Sequence, residues 1–232
     1  MYRKFIAAMT AGAVALGAGA ASAATYVSKL EYSQAGYTST PFGTVTIEEL
    51  DANNVKITVA LPGIDKIVDT GNGHVAFAFN LSDNPNSTVT VLSPTPSSFT
   101  YAGEKSAGYK MSPFGQTWTN AIVCCGQGAS NGEPPPLVFK VSNASGISFL
   151  GSGNKFTSNT DGTIAGYTGG WWFAVDTFDA DRPAGGNTFA VAARDVTCTS
   201  CSAVPEPATW TMMILGFGGA GAVIRRRRFA AA

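Results

Sequence analysis

The stretch TVTIEELDANNVKITVAL, residues 44–61, decides the fold class. In its second half Val55, Ile57, Val59 and Leu61 fall on one side of an extended chain, and Lys56 and Thr58 on the other. Such alternation marks a half-buried strand, because successive strand side chains point to opposite faces. The segments 44–50 and 55–61 flank Asp51, Ala52, Asn53 and Asn54, a run of turn-forming residues, so the pair reads as a β-hairpin.

The same period of two recurs outward from this hairpin. Val75, Phe77, Phe79 and Leu81 alternate within 74–81, and Leu137, Phe139 and Val141 within 137–141. Segments 171–176 and 188–194 form a further candidate pair, and weaker candidates lie at 88–92, 99–101, 118–123 and 147–150. No stretch between residues 24 and 203 sustains the 3.6-residue period of an amphipathic helix. Short strands separated by Gly, Pro and Asn turns predict an all-β fold, a single β-sandwich or jelly-roll-like ectodomain. The polar stretches 126–136 and 151–170 are expected as long surface loops.

Both ends of the 232-residue chain have a different character. Residues 1–23 read as a signal peptide, with Arg3 and Lys4 ahead of an apolar helical core. Ala21 and Ala23 supply the small residues that signal peptidase reads, so cleavage is expected after Ala23. Residues 204–232 form a tail in three parts. Pro205, Glu206 and Pro207 make a stiff, extended segment. Residues 210–224 form an apolar run led by Trp210, about 22 Å long as a helix and so a short span of a ~30 Å hydrocarbon core. Arg225, Arg226, Arg227 and Arg228 then form a cationic stop of the kind retained on the cytoplasmic side.

The remaining segment, 24–203, is the candidate ectodomain. The formal net charge of the chain is zero, but between residues 24 and 204 nine Lys and Arg face fourteen Asp and Glu. The ectodomain is mildly acidic and lacks the basic stripe that phosphate contacts require, which excludes nucleic acid as a partner.

The tail resembles the PEP-CTERM sorting signal, in the variant that continues from the Pro-Glu-Pro motif through Trp210, Met212, Met213, Gly216, Phe217 and Gly218 to the arginine cluster. Thr211 stands where that variant usually has Ala. The resemblance implies a substrate of a membrane-embedded exosortase that cuts near the Pro-Glu-Pro motif. It implies a chain held transiently in the inner membrane and then passed to the cell surface or the extracellular matrix, in an exopolysaccharide or biofilm context. The stretches around Cys124 to Phe139 and Trp172 to Asp176 are also similar to a recurring ectodomain of such proteins, and that similarity implies no site.

Candidate sites in the ectodomain are few. Cys124, Cys125, Cys198 and Cys201 are an even set in an exported chain, which favours disulfides. Three connectivities are possible. Cross-pairing of the two clusters is favoured because it closes the longest loop. A zinc site and a redox pair are the rivals, and the adjacent cysteines make a poor zinc knuckle. Asp176, Asp179 and Asp181 could bind calcium as an oxygen-rich loop or could simply form a turn. No other cofactor is implied. Trp171 and Trp172 point to opposite faces of a strand, so one of them could stack on a glycan while the other fills the core. Glu48 and Glu49 are adjacent on a strand and cannot flank one glycosidic bond. His74 is the sole histidine, no nucleophile elbow accompanies it, and a secreted hydrolase is the weakest alternative. The expectation is a noncatalytic structural protein, with a glycan-binding module as the alternative.

Overall fold

The computed structural model describes residues 24–201, apart from 72, 94–96, 127, 129, 130, 152, 165 and 182–186, together with residues 215–217. The strands lie in the compact unit Ala23–Cys201. They are β1 (Thr25–Ser33), β2 (Gly36–Tyr37), β3 (Thr44–Asp51), β4 (Asn54–Ala60), β5 (Lys66–Ile67), β6 (Phe77–Leu81), β7 (Ser87–Val91) and β8 (Thr100–Tyr109). They continue with β9 (Trp118–Val123), β10 (Leu137–Asn143), β11 (Phe156–Thr157), β12 (Thr163–Ile164), β13 (Tyr167–Thr168), β14 (Phe173–Phe178) and β15 (Thr188–Cys198).

Ten of these strands form one antiparallel sheet in the order β7-β10-β4-β3-β1-β15-β14-β6-β9-β8. The edge strands β7 and β8 approach each other, so the sheet is nearly closed into a barrel-like shape. The all-β expectation holds, and the sandwich gives way to a single curled sheet. The reason is β1, which pairs with β3 on one side and β15 on the other and so joins what would have been two layers. The hairpin of residues 44–61 forms as β3 and β4, with Val45 opposite Val59 and Ile47 opposite Ile57. Its turn is held by Asp51 Oδ1, which accepts from the Asn53 N–H at 2.8 Å and the Asn54 amide at 2.9 Å.

The interior is filled from the strand faces that alternation identified. Phe77, Phe79, Phe139, Phe173, Val175, Ile122 and Val191 are all fully buried there. Phe139 reaches across from β10 to the rings of Phe77 and Phe79, at 5.5 and 5.3 Å between centroids. A second apolar cluster covers the outer side of β6, β9, β14 and β15. There the strands present Ala78, Ala121, Ala174, Ala190 and Ala192, and the bulk comes from Trp118 at the start of β9 and from Met111, Phe114, Ile164 and Trp171 outside these four strands.

The stretch 151–170, expected as a surface loop, builds part of this cover. Asn159 is buried and pairs with the backbone of Trp171, at 2.7 Å from its N–H to the Trp171 carbonyl. Asp161 accepts from the Gln116 N–H at 2.9 Å and the Thr117 hydroxyl at 3.0 Å, tying this stretch to residues 111–117. Gly162, at φ +85°, lies where an added Cβ would meet the Phe114 carbonyl carbon at 2.4 Å, so only glycine permits the approach. The segment 147–150 is not a strand; it turns, and its Ser148 forms an isolated bridge with Asn154.

Candidate functional site

A set of titratable groups, Asp69, His74 and Asp176, gathers around Asp176 on β14. Asp176 is 1% exposed. Its Oδ2 accepts from the Thr70 N–H at 3.0 Å and the Thr70 hydroxyl at 2.5 Å, and His74 Nδ1 lies 3.7 Å away. Backbone bonds fasten the same loop to the strands: the Val68 N–H donates to the Asp176 carbonyl and the Asp176 N–H to the Ala76 carbonyl, both at 3.0 Å. Asp69 is half-buried beside it, accepting from the Gly71 N–H at 3.3 Å. Burial, and then the charge of Asp176, raise the Asp69 carboxyl above the usual range.

This grouping is built to hold a loop. The Thr70 hydroxyl donates to the carboxylate and not to His74, so no activated hydroxyl results. His74 Nδ1 is buried and makes no hydrogen bond. His74 itself precedes β6 and bridges to Lys110, where the sequence suggested the start of a strand.

The structure separates the other expected sets. Asp176 turns to Thr70, whereas Asp179 Oδ1 accepts from the Asp181 N–H at 3.0 Å in a local turn, so the three carboxylates do not converge as a calcium loop would require. Among the described residues no group of three or more His, Cys, Asp or Glu side chains is arranged to hold a metal ion. Glu48 pairs with Lys56, while Glu49 on the other face accepts from the Ser148 hydroxyl and the Phe149 N–H, both at 2.8 Å. Two shallow depressions share Pro135 and Pro136, and their linings include one carboxylate, Glu133.

The cysteines pair locally, Cys124 with Cys125 and Cys198 with Cys201, and the expected cross-pairing is corrected. Geometry forbids the cross-links. β9 and β15 are separated by β6 and β14, roughly 14 Å at the usual strand spacing. Ile122, Phe77, Val175 and Val191 lie in one row across these strands. Continued along antiparallel strands, that register puts Cys124 level with Phe189, so Cys198 is offset by roughly a further 30 Å. A disulfide tolerates about 7 Å between Cα atoms. Cys125 takes a left-handed φ of 61°.

The tryptophans do face opposite ways, but neither forms an open platform. Trp171 is fully buried in the outer cluster, its indole N–H donating to the Gly162 carbonyl at 3.2 Å. Trp172 is half-buried on the inner side, 5.0 Å from the Phe149 ring. What sequence reasoning missed is a group of tyrosines. Tyr32 is buried beside Trp171, and the exposed Tyr37 and Tyr167 lie against it. Their distant positions left no periodic signal, although the two exposed ones, Tyr37 and Tyr167, each follow a glycine, Gly36 and Gly166.

Ala21 and Ala23 of the cleavage site, Pro205, Glu206, Pro207 and Trp210 of the tail, and Arg225, Arg226, Arg227 and Arg228 all lie outside the described residues. Leu215 and Phe217, within the expected span, are helical and exposed. No helix among the described residues is long and apolar enough to cross a membrane. No curated protein and no solved structure matches the chain significantly. Residues 203–228 match the PEP-CTERM protein-sorting motif, so the chain carries a C-terminal sorting signal that implies export, cell-surface sorting and processing by an exosortase.

Proposed function

We propose that this chain is a noncatalytic component of the cell surface or extracellular matrix, associated with exopolysaccharide or biofilm. It is exported by way of signal peptidase, parked in the inner membrane by residues 210–224 and Arg225–Arg228, and freed by exosortase near Pro205–Pro207. The observation that carries this reading is the match of residues 203–228 to the sorting motif. The physical logic is a short apolar span with a cationic stop, preceded by an extended Pro-Glu-Pro segment open to a protease. A noncatalytic role is supported by the buried Asp176 site, where the Thr70 N–H and hydroxyl both donate to the carboxylate and so fix the loop, while His74 Nδ1 makes no hydrogen bond.

The test is intact mass spectrometry of the protein from the surface fraction of cells with and without their exosortase. The expected mass begins at Ala24 and ends near Pro207 in the first case, and retains the tail in the second. Full-length chain in the surface fraction of normal cells would refute the proposal. So would unchanged trimming after Arg225–Arg228 are all replaced by Ser.

A further inference from the structure

We infer that Tyr37 and Tyr167 form a carbohydrate-binding platform whose ligand is a pyranose unit of a polysaccharide. The inference deepens the matrix role proposed above and rests on it for its biological setting.

The platform is built on a bulge. Along β1, Leu30 pairs with Ala193 and Tyr32 with Ala192, so the register slips at Glu31 and Tyr32 swings to the outer face. There it is 4% exposed and meets the Trp171 ring edge-on at 5.1 Å. Two further rings lean on Tyr32 from the solvent side, Tyr37 of β2 at 5.3 Å and Tyr167 of β13 at 5.2 Å. Tyr37 is 53% exposed and Tyr167 38%. Isolated exposed aromatics need no explanation, but these two share one buried aromatic support, each within 5.3 Å of the Tyr32 ring.

Chemistry narrows the occupant. A pyranose presents an apolar face of C–H bonds, slightly electropositive, within a rim of hydroxyls. That face suits the electron-rich face of an aromatic ring. The rim here is polar: the exposed Thr163 and Thr168 hydroxyls lie 3.0 Å apart on the hairpin that carries Tyr167. The Arg194 guanidinium lies over one face of the Tyr167 ring, 5.1 Å from its centre, with its Nε donating to the Gly169 carbonyl, so a sugar would use the opposite face of that ring. Size argues against a protein partner. The two tyrosines expose together on the order of 200 Å², whereas a stable protein interface needs about 800 Å² on each side. Both rings pack against the buried Tyr32, a support that would lower the ordering cost of binding.

The test is native electrophoresis of the full-length chain in detergent through gels containing hydroxyethyl cellulose, galactomannan, xanthan or alginate. Retardation is expected in at least one gel, weakened at least tenfold in the Tyr37→Ala/Tyr167→Ala double variant and largely kept in Tyr37→Phe. Leu50→Ala, an exposed apolar change elsewhere, should leave it unaltered. Should the double variant unfold, nitration of the unaltered chain replaces it, and saturating polysaccharide must then shield Tyr37 and Tyr167. No retardation in any gel overturns the platform, as does retardation indifferent to both tyrosines. A chain that binds but is never trimmed refutes the sorting proposal alone; one trimmed normally that ignores every polysaccharide refutes the platform alone.

Discussion

The two sides of β6, β14 and β15 are filled in opposite ways. On the inner side the strands supply the bulk: Phe77 and Phe79 from β6, Phe173 and Val175 from β14, Phe189 and Val191 from β15. On the outer side the same strands supply Ala78, Ala174, Ala190 and Ala192, and the volume arrives from Phe114 and Trp171 on connecting segments and Ile164 on the small β12–β13 hairpin. Both layers are buried, but only the first is written into these strands. The small residues of the second leave room for a loop layer to lie close to the sheet, and that layer positions Tyr167.

The largest expected effect falls on the inner side. Phe77→Ala removes a fully buried ring that contacts Phe79, Phe139 and Phe173, with members of opposite walls of the sheet among its neighbours. The expected cost is about 3–5 kcal/mol, enough to unfold much of the population of a marginally stable domain. Urea denaturation of the full-length chain followed by circular dichroism would measure it. A loss below about 1 kcal/mol would mean that the inner side is not the main core.

An opposite substitution probes the outer side. Ala192→Leu adds three carbons under the cover formed with Tyr32 and Trp171, and should cost about 1–3 kcal/mol through overpacking. The same change on an exposed strand position would cost little. If Ala192→Leu proves neutral in the same denaturation experiment, the cover is loose and the contrast between the two layers is false. The platform tyrosines would then lose the rigid support argued for them.

That contrast also explains what the sequence could disclose. The inner layer follows a period of two, so residues 55–61, 77–81 and 137–141 announce it directly. β1 does not, because Ser28 occupies a buried position between Tyr26 and Leu30 and the slip at Glu31 then reverses the pattern. Ser28 is tolerated inside because its hydroxyl donates to the Asp195 carbonyl at 2.6 Å. The outer layer was illegible because alanine on a strand reads as weak strand propensity and no local rule links Phe114 to Trp171. The polar site joins Thr70 to Asp176, 106 residues apart, so spacing could not reveal it. The sorting tail was legible for the converse reason, since its whole signal lies in one contiguous segment.

The smallest effect concerns the place where the outer side departs from alanine. Two residues after Ala174, β14 presents Asp176, which is held by Thr70 and faced by His74 and Asp69. Two carboxyls share this partly buried corner, and burial followed by the charge of Asp176 raises the proton affinity of Asp69. The Gly71 N–H and His74 oppose that shift without cancelling it. A carboxyl whose folded pKa exceeds its unfolded value favours the folded state most below the unfolded pKa. That contribution is lost as pH rises through the folded pKa, so the term declines from just below pH 4 upward into the acidic range. Asp69→Asn keeps an oxygen for the Gly71 N–H and removes the charge. It should therefore stabilise the chain at pH 7, by less than about 1 kcal/mol because the carboxyl retains part of its water. At pH 3, where Asp69 is already protonated, the same variant should match the parent. Thermal melts at the two pH values separate this from a packing effect, which would persist at both. A variant less stable than the parent at pH 7 would show that the Asp69 charge supports the loop, and that the outer side tolerates paired carboxylates as readily as it does alanine.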